Sequence, residues 1–146
     1  VEDIDLKLFT VLLRSANWIQ KVHANLVESH GITPSEFGVL EQLYHLGPQQ
    51  LQALGQKNLI SNGNTTYMVT KLEKKNYLVR VNDPNDRRVV YAKLTAQGTQ
   101  FISNLFPQFE VLIKEQLTIL NEEEKEILIS GLKKIGLNAE SHWRAN

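Results

Sequence analysis

Apolar positions along the chain repeat mostly at helical spacing, with one short stretch of strand-like alternation. Leu8, Val11, Leu12, Ser15, Trp18, Ile19, Val22 and Leu26 predict a long first helix over about residues 4–29. His30-Gly31 supplies a left-handed-tolerant stop. Thr33-Pro34-Ser35-Glu36 then reads as a capping box, with proline in the first turn of a second helix whose stripe is Phe37, Leu40, Leu43 and Tyr44. Gly47-Pro48 breaks it, and a short third helix is predicted over Gln49 to Lys57 with Leu51 and Leu54 inward.

Ser61 is the expected cap of a fourth helix, in which Thr65, Met68, Val69 and Leu72 share one face by i, i+3, i+4, i+7 spacing. Asn62, Asn64, Thr66, Tyr67, Thr70, Lys71 and Lys74 occupy the opposite and flanking positions. A hairpin follows: Tyr77 to Val81, a turn over Asn82 to Arg88, and Val89 to Leu94. Thr95 is read as the cap of a fifth helix carrying Phe101, Ile102, Leu105, Phe109, Leu112, Ile113 and Leu117, bent by Pro107. Asn121 and Glu124 start a sixth helix, expected to close at Gly136.

A helix rich in short hydrogen-bonding side chains, followed by a strand pair with arginines at its tip, is a winged helix-turn-helix. Its helix suits the major groove and its hairpin tip the adjacent backbone or minor groove. The expected fold class is therefore mainly α, with a two-stranded wing and long N- and C-terminal dimerisation helices. The expected division is residues 1–32, an N-terminal dimerisation helix; 33–94, the DNA-binding region; and 95–146, the C-terminal dimerisation helices, all in one intertwined domain. The terminal helices carry more apolar surface than the winged helix needs, so a two-fold dimer presenting two recognition helices is expected.

Composition adjusts this picture in three places. The chain has 146 residues, 42% hydrophobic and 22% charged, as a soluble globular domain has. It has no cysteine, which excludes disulfides, thiolate-bound zinc and thiol redox sensing within it. Net charge is zero, yet Lys57, Lys71, Lys74, Lys75, Arg80, Arg87, Arg88 and Lys93 face only Glu73, Asp83 and Asp86 between residues 57 and 93. That segment carries five positive charges in excess, and beyond about 8 Å the acids elsewhere are screened.

No apolar run approaches the ~20 residues that cross a bilayer, and the acidic start Val1-Glu2-Asp3-Ile4-Asp5 does not look like a signal peptide. The cytoplasm is the expected location and no membrane partner is expected. There is no glycine-rich phosphate loop, no Gly-x-Ser-x-Gly elbow and no His-Glu-x-x-His, so no enzyme is expected. His23, His30, His45 and His142 lack metal-ligand spacing, so neither metal nor cofactor is implied.

Asp83-Pro84-Asn85-Asp86-Arg87-Arg88 followed by Leu94-Thr95-Ala96-Gln97-Gly98, together with Thr66-Tyr67 leading into Lys71-Leu72-Glu73-Lys74-Lys75, resembles the MarR family of bacterial transcription regulators. The resemblance covers essentially the whole chain. Thr33-Pro34-Ser35-Glu36-Phe37, Leu43-Tyr44-His45 and Asp86-Arg87-Arg88-Val89 are most similar to its quinone- and hydroquinone-responsive repressors. The resemblance implies a homodimer with intertwined first, fifth and sixth helices, bound to double-stranded operator DNA and released by a small, often phenolic, effector. It places Arg87 in the minor groove, with Asp86 orienting that arginine or a neighbour. Asn76 stands where the family commonly has glycine, and asparagine tolerates the same left-handed backbone.

Asn62, Asn64, Thr66 and Tyr67 are candidates for base edges, with Thr70 beside them, and Lys71 and Lys74 for phosphates. Arg88 joins Arg87 at the wing, and Ser35, Gln49 and Gln50 offer further backbone contacts from helix starts. Trp18, His23, Phe37, Tyr44 and His45 are candidates for an effector pocket, although aromatics at helical spacing are more often core. The reading set against a DNA-binding regulator is a winged helix used for protein interaction or oligomerisation without specific DNA contact.

Overall fold

Asp3 opens the first helix, its carboxylate accepting from the amides of Asp5 and Leu6 at 2.9 and 3.2 Å. In the computed structural model, which describes residues 2–57 and 62–146, α1 runs Ile4–Ser29. Gly31 turns the chain at φ 83°, and Thr33 and Glu36 close a reciprocal capping box on α2 (Pro34–Leu46). The expected third helix is shorter than its pattern suggested. Gln49–Gln50 is a short strand, β1, and α3 spans Leu51–Lys57. The helix α4 is Asn62–Lys74; its expected cap, Ser61, lies outside the described residues.

The hairpin is β2 (Leu78–Asn82) and β3 (Val90–Leu94), paired antiparallel with Arg80 opposite Ala92. β1 adds to the other edge of β3, Gln49 opposite Ala92 and Gln50 opposite Tyr91, so the sheet has three strands in the order β1-β3-β2 rather than two. Gly47 ends α2 at φ 76°, and the glutamines that follow Pro48 are extended because they pair with the free edge of β3. The two glutamines therefore leave the turn as sheet, and the helix begins two residues later than expected.

Two compact units divide the chain, Val1–Glu110 and Val111–Asn146. In the first, Val27, Ile32, Phe37, Val39, Leu40, Leu43, Leu54, Val69, Leu72, Leu78, Ala92, Ile102 and Leu105 form one core. It joins the end of α1, α2, α3, the inner face of α4, the sheet, and the first turns of α5 (Ala96–Leu117). The predicted inner face of α4 is the buried one, formed by Thr65, Met68, Val69 and Leu72.

The second unit holds the end of α5 and α6 (Glu122–Ala145), started by the expected Asn121–Glu124 capping box. Gly136 does not end α6, which continues nine residues further to Ala145. A glycine inside a helix costs about 1 kcal/mol against alanine but stops it only by turning left-handed. No residue of α6 is buried, and Ile127, Leu128, Ile129, Leu132 and Leu137 stand exposed.

Candidate nucleic-acid interface

Asn76 makes the turn from α4 into the wing at φ 63°, the only positive φ outside glycine among the described residues. Its amide donates to Glu73 O at 2.9 Å and the next, Tyr77 N, to Leu72 O at 3.0 Å, so the last carbonyls of α4 are satisfied as the chain reverses. The chain's exit from the hairpin is tied to the same point. Thr95 Oγ1 donates to Asn76 O at 2.6 Å and accepts from Gly98 N at 2.9 Å, and Tyr77 stacks on Phe101 with centroids 4.4 Å apart.

The wing tip is held by its own side chains. Asp83 Oδ1 accepts from Asn85 N at 2.8 Å and Asp86 Oδ1 from Arg88 N at 3.0 Å, two successive Asx-type turns. Asn82 Nδ2 donates to Arg87 O at 3.0 Å, tying the base of the loop across to its other limb. Asp86 also takes Arg88 Nε at 3.1 Å and Nη2 at 3.2 Å. The Arg88 side chain and amide together hold the Asp86 carboxyl below the usual carboxylate range. Asp86 thus orients Arg88, the neighbouring arginine, and Arg87 stands exposed within the second of these turns.

On α4, Asn64, Thr66, Tyr67 and Lys74 are exposed and Thr70 and Lys71 partly so; Asn62 opens the helix. Thr70 and Lys71 are engaged within the protein as well. The Thr70 hydroxyl donates to Thr66 O at 2.9 Å and accepts from Arg80 Nη2 at 3.0 Å. Lys71 Nζ lies 4.0 Å from Glu36 Oε1 and 5.6 Å from the Tyr67 ring centroid. Ser35 is exposed in the first turn of α2. Gln50 is exposed on β1, whereas Gln49 turns its amide to Pro48 O at 2.9 Å.

Two residues that anchor this surface escaped the sequence reading as site residues. Arg80 bonds α4 from β2, and Glu36, 1% exposed, pairs with Lys75 at 3.3 Å while completing its capping box. The alternation of β2 carried a signal for the first: Arg80 shares its strand face with buried Leu78, not with exposed Val79 and Val81.

The aromatic candidates separate. His23 and Phe37 meet with centroids 5.1 Å apart, and both touch Phe109, at 5.1 and 4.8 Å. Tyr44 and His45 meet at 5.2 Å, and His45 lies 4.7 Å from Phe106, which joins Phe109 at 5.7 Å. Phe106 and Phe109 therefore link the two pairs, and neither was singled out for a pocket. Trp18 stands apart from these rings, 64% exposed with Lys21 Nζ 4.7 Å from its ring centroid. Burial pushes the His23 imidazole below its ordinary value, and its Nε2 is buried without a hydrogen-bond partner among the described residues.

Among the described residues no helix is long and apolar enough to cross a membrane, and no group of three His, Asp or Glu side chains is arranged to hold a metal.

This geometry has close counterparts. The MarR family model matches residues 32–90. The HTH-type transcriptional regulator MhqR of Bacillus subtilis is 44% identical over 134 residues, 92% of each chain. AbsC, a MarR family transcriptional regulator from Streptomyces coelicolor, superposes with a TM-score of 0.89 over 97% of both chains at 19% identity. A mutant MarR from E. coli complexed with operator DNA does so at 0.79, over 92% of this chain and 99% of that one, at 23% identity. Its elements, its wing and these relatives make the chain a DNA-binding transcriptional regulator, not an enzyme: it belongs to the MarR family.

Proposed function

We propose that this regulator is a cytoplasmic homodimeric repressor that occupies a pseudo-palindromic operator and leaves it when a small phenolic or quinone-like molecule binds. The observation that carries the DNA reading is the pairing, in one compact unit, of an α4 whose polar face is exposed with a self-braced wing tip that holds out Arg87. Asn62, Asn64, Thr66 and Tyr67 read base edges in the major groove, with the Thr70 methyl beside them, and Lys71 and Lys74 meet phosphate. Arg87 enters the minor groove, Asp86 fixes Arg88 against the backbone, and Ser35, Gln49 and Gln50 add positioning contacts.

Dimerisation is supported by unpartnered apolar surface in each unit. Ile4, Leu6, Leu8, Phe9, Val11 and Leu13 of α1 are more than half exposed, and α6 buries nothing. Surface of that extent is normally covered in solution. Residues 1–32 and 95–146 are the proposed dimerisation helices, and residues 33–94 the DNA-binding region.

For the effector, the linked rings of His23, Phe37, Phe109, Phe106, His45 and Tyr44 supply apolar faces with imidazole and phenol tips, a chemistry suited to a phenolic or quinoid ring. Trp18 would stand at its margin. A ligand that prefers a dimer with misplaced α4 helices shifts the population away from the DNA-competent spacing.

The test is selection of genomic DNA fragments on the purified protein at two salt concentrations. Recovery of a pseudo-palindrome with half-sites about one helical turn apart, 10–10.5 bp, is the expected result. Binding that is salt-sensitive but blind to sequence would overturn the operator-specific reading.

A further inference from the structure

Arg80 lies in the middle of β2, yet its guanidinium is directed at the recognition helix. Nη1 donates to Glu73 Oε1, Nη2 to Thr70 Oγ1 at 3.0 Å, and Nη2 also to Thr66 O at 3.3 Å. Thr66, Thr70 and Glu73 follow i, i+4, i+7 spacing, one ridge along nearly two turns of α4. Thr66 and Thr70 belong to the polar face offered to DNA.

The wing has little else on that side to hold it. β2 is an edge strand, paired among the described residues with β3 alone, and Leu78 is its one buried residue. Beyond Leu78, Val79 and Val81 are 43% and 44% exposed, and Asn82 is exposed where the loop begins. Arg80 is thus the link between the outer half of the wing and α4, and Ala92, its partner on β3, is fully buried.

We propose that Arg80 is a positioning residue that locks the wing to the recognition helix, so that the Arg87 tip and the polar face of α4 meet DNA at a preset separation. Helix and wing reach different grooves, whose spacing the duplex dictates. A wing free to swing would lose that freedom on binding, whereas one fastened beforehand does not. Arg80 itself, with its guanidinium engaged by three acceptors on α4, does not need to touch DNA. The inference rests on the DNA-binding reading above.

The test uses the full chain, with Arg80→Met, Arg80→Lys and Glu73→Met. Two probes of about 30 bp are compared, a duplex recovered on the wild-type chain from a random-sequence pool and a random-sequence duplex. Arg80→Met is expected to weaken the selected duplex at least about tenfold while changing the random one less than about twofold. The log-log salt slope should stay unchanged, Glu73→Met should follow Arg80→Met, and Arg80→Lys should recover part of the loss. A slope reduced by about 0.9 would make Arg80 a phosphate contact and overturn the proposal; so would undiminished affinity.

A second measurement needs no DNA. Because the chain lacks cysteine, nitroxides can be placed through Lys74→Cys and Asn85→Cys alone. Arg80→Met should broaden the distance distribution between them in the folded protein. An unbroadened distribution overturns the proposal. If the wild-type chain enriches no duplex, the operator reading fails separately, and the label distances decide the role of Arg80.

Discussion

Lys75 Nζ sits 3.3 Å from Oε2 of Glu36, whose carboxylate lies 1% exposed at the base of α2. The same ammonium donates to Gly31 O at 2.9 Å, so one side chain at the end of α4 ties the recognition helix to the α1–α2 corner. Removing one partner of a buried pair costs about 3–5 kcal/mol because the other charge is left in the interior. Lys75 is a third exposed, and Lys71 lies 4.0 Å from the same carboxylate, so both water and a second cation offset part of that loss. Lys75→Met is expected to lower the unfolding free energy by about 1–3 kcal/mol, read by urea denaturation. A loss below about 0.5 kcal/mol would place the pair among surface ion pairs instead.

Gly98 is required by a backbone approach. A Cβ at this position would lie 1.8 Å from Tyr77 O and 2.7 Å from Tyr77 C, and neither atom belongs to a side chain that can swing away. Tyr77 O also accepts from Thr95 N at 3.1 Å, so displacing it would pull at the junction of wing and α5. Gly98→Ala should destabilise by about 1–3 kcal/mol or more despite alanine's better helix propensity. A melting temperature equal to or above that of the wild type would contradict this account.

Much of this was legible in the chain because the signals were local. Thr33–Glu36 and Asn121–Glu124 encode their caps within four residues, and the buried stripe of α4 follows from period alone. Asp83 and Asp86 encode the wing turns through bonds two residues long. What was not legible depends on partners distant in sequence. Gln49–Gln50 becomes strand only because β3, some forty residues later, offers a free edge. Glu36 gives a sequence reader its cap but not its lysines, thirty-five and thirty-nine positions away. Gly136 misled because glycine is a stop signal only where the backbone turns left-handed, and there it does not.

His23 should make stability fall in mild acid. Its imidazole is held between Phe37 and Phe109, and burial lowers its pKa in the folded chain below the ordinary value of about 6.5. The unfolded chain therefore takes up the proton first as pH falls. The stability conferred by neutral His23 is fully present above about pH 6.5 and is lost as pH drops through that value towards the folded one. His23→Phe keeps an aromatic ring among its neighbours and removes the unpartnered buried Nε2. It is expected to flatten the stability profile between about pH 7 and 5, measured as wild type minus variant. An unchanged pH dependence would show that His23 does not titrate differently on folding.

Asn64 is exposed in the first turns of α4, at the edge of the stripe that buries Met68 and Leu72. An amide can pair with adenine in a bidentate manner, an interaction that discriminates by about 1–3 kcal/mol against a wrong base. Asn64→Ala should therefore weaken the selected duplex more than a random-sequence duplex. Equal losses on both would make Asn64 a positioning contact.

Arg87 offers the cleanest substitution on the wing, because its guanidinium makes no hydrogen bond or ion pair among the described residues. Asp86 is committed to Arg88, and the bond that ties Asn82 across the loop uses the Arg87 carbonyl, which alanine retains. Arg87→Ala should leave the melting temperature within about a degree of wild type while weakening operator binding at least about tenfold, since a charged hydrogen bond contributes roughly 1.5–3 kcal/mol. Arg88→Ala is the informative contrast: it strips Asp86 of its cation and leaves an unpaired carboxylate at a surface meant for a polyanion. Its loss should therefore combine a missing contact with new repulsion, and Asp86→Asn in the same background should restore part of it. Undiminished binding by Arg87→Ala in a folded protein at moderate salt would remove the wing from DNA recognition.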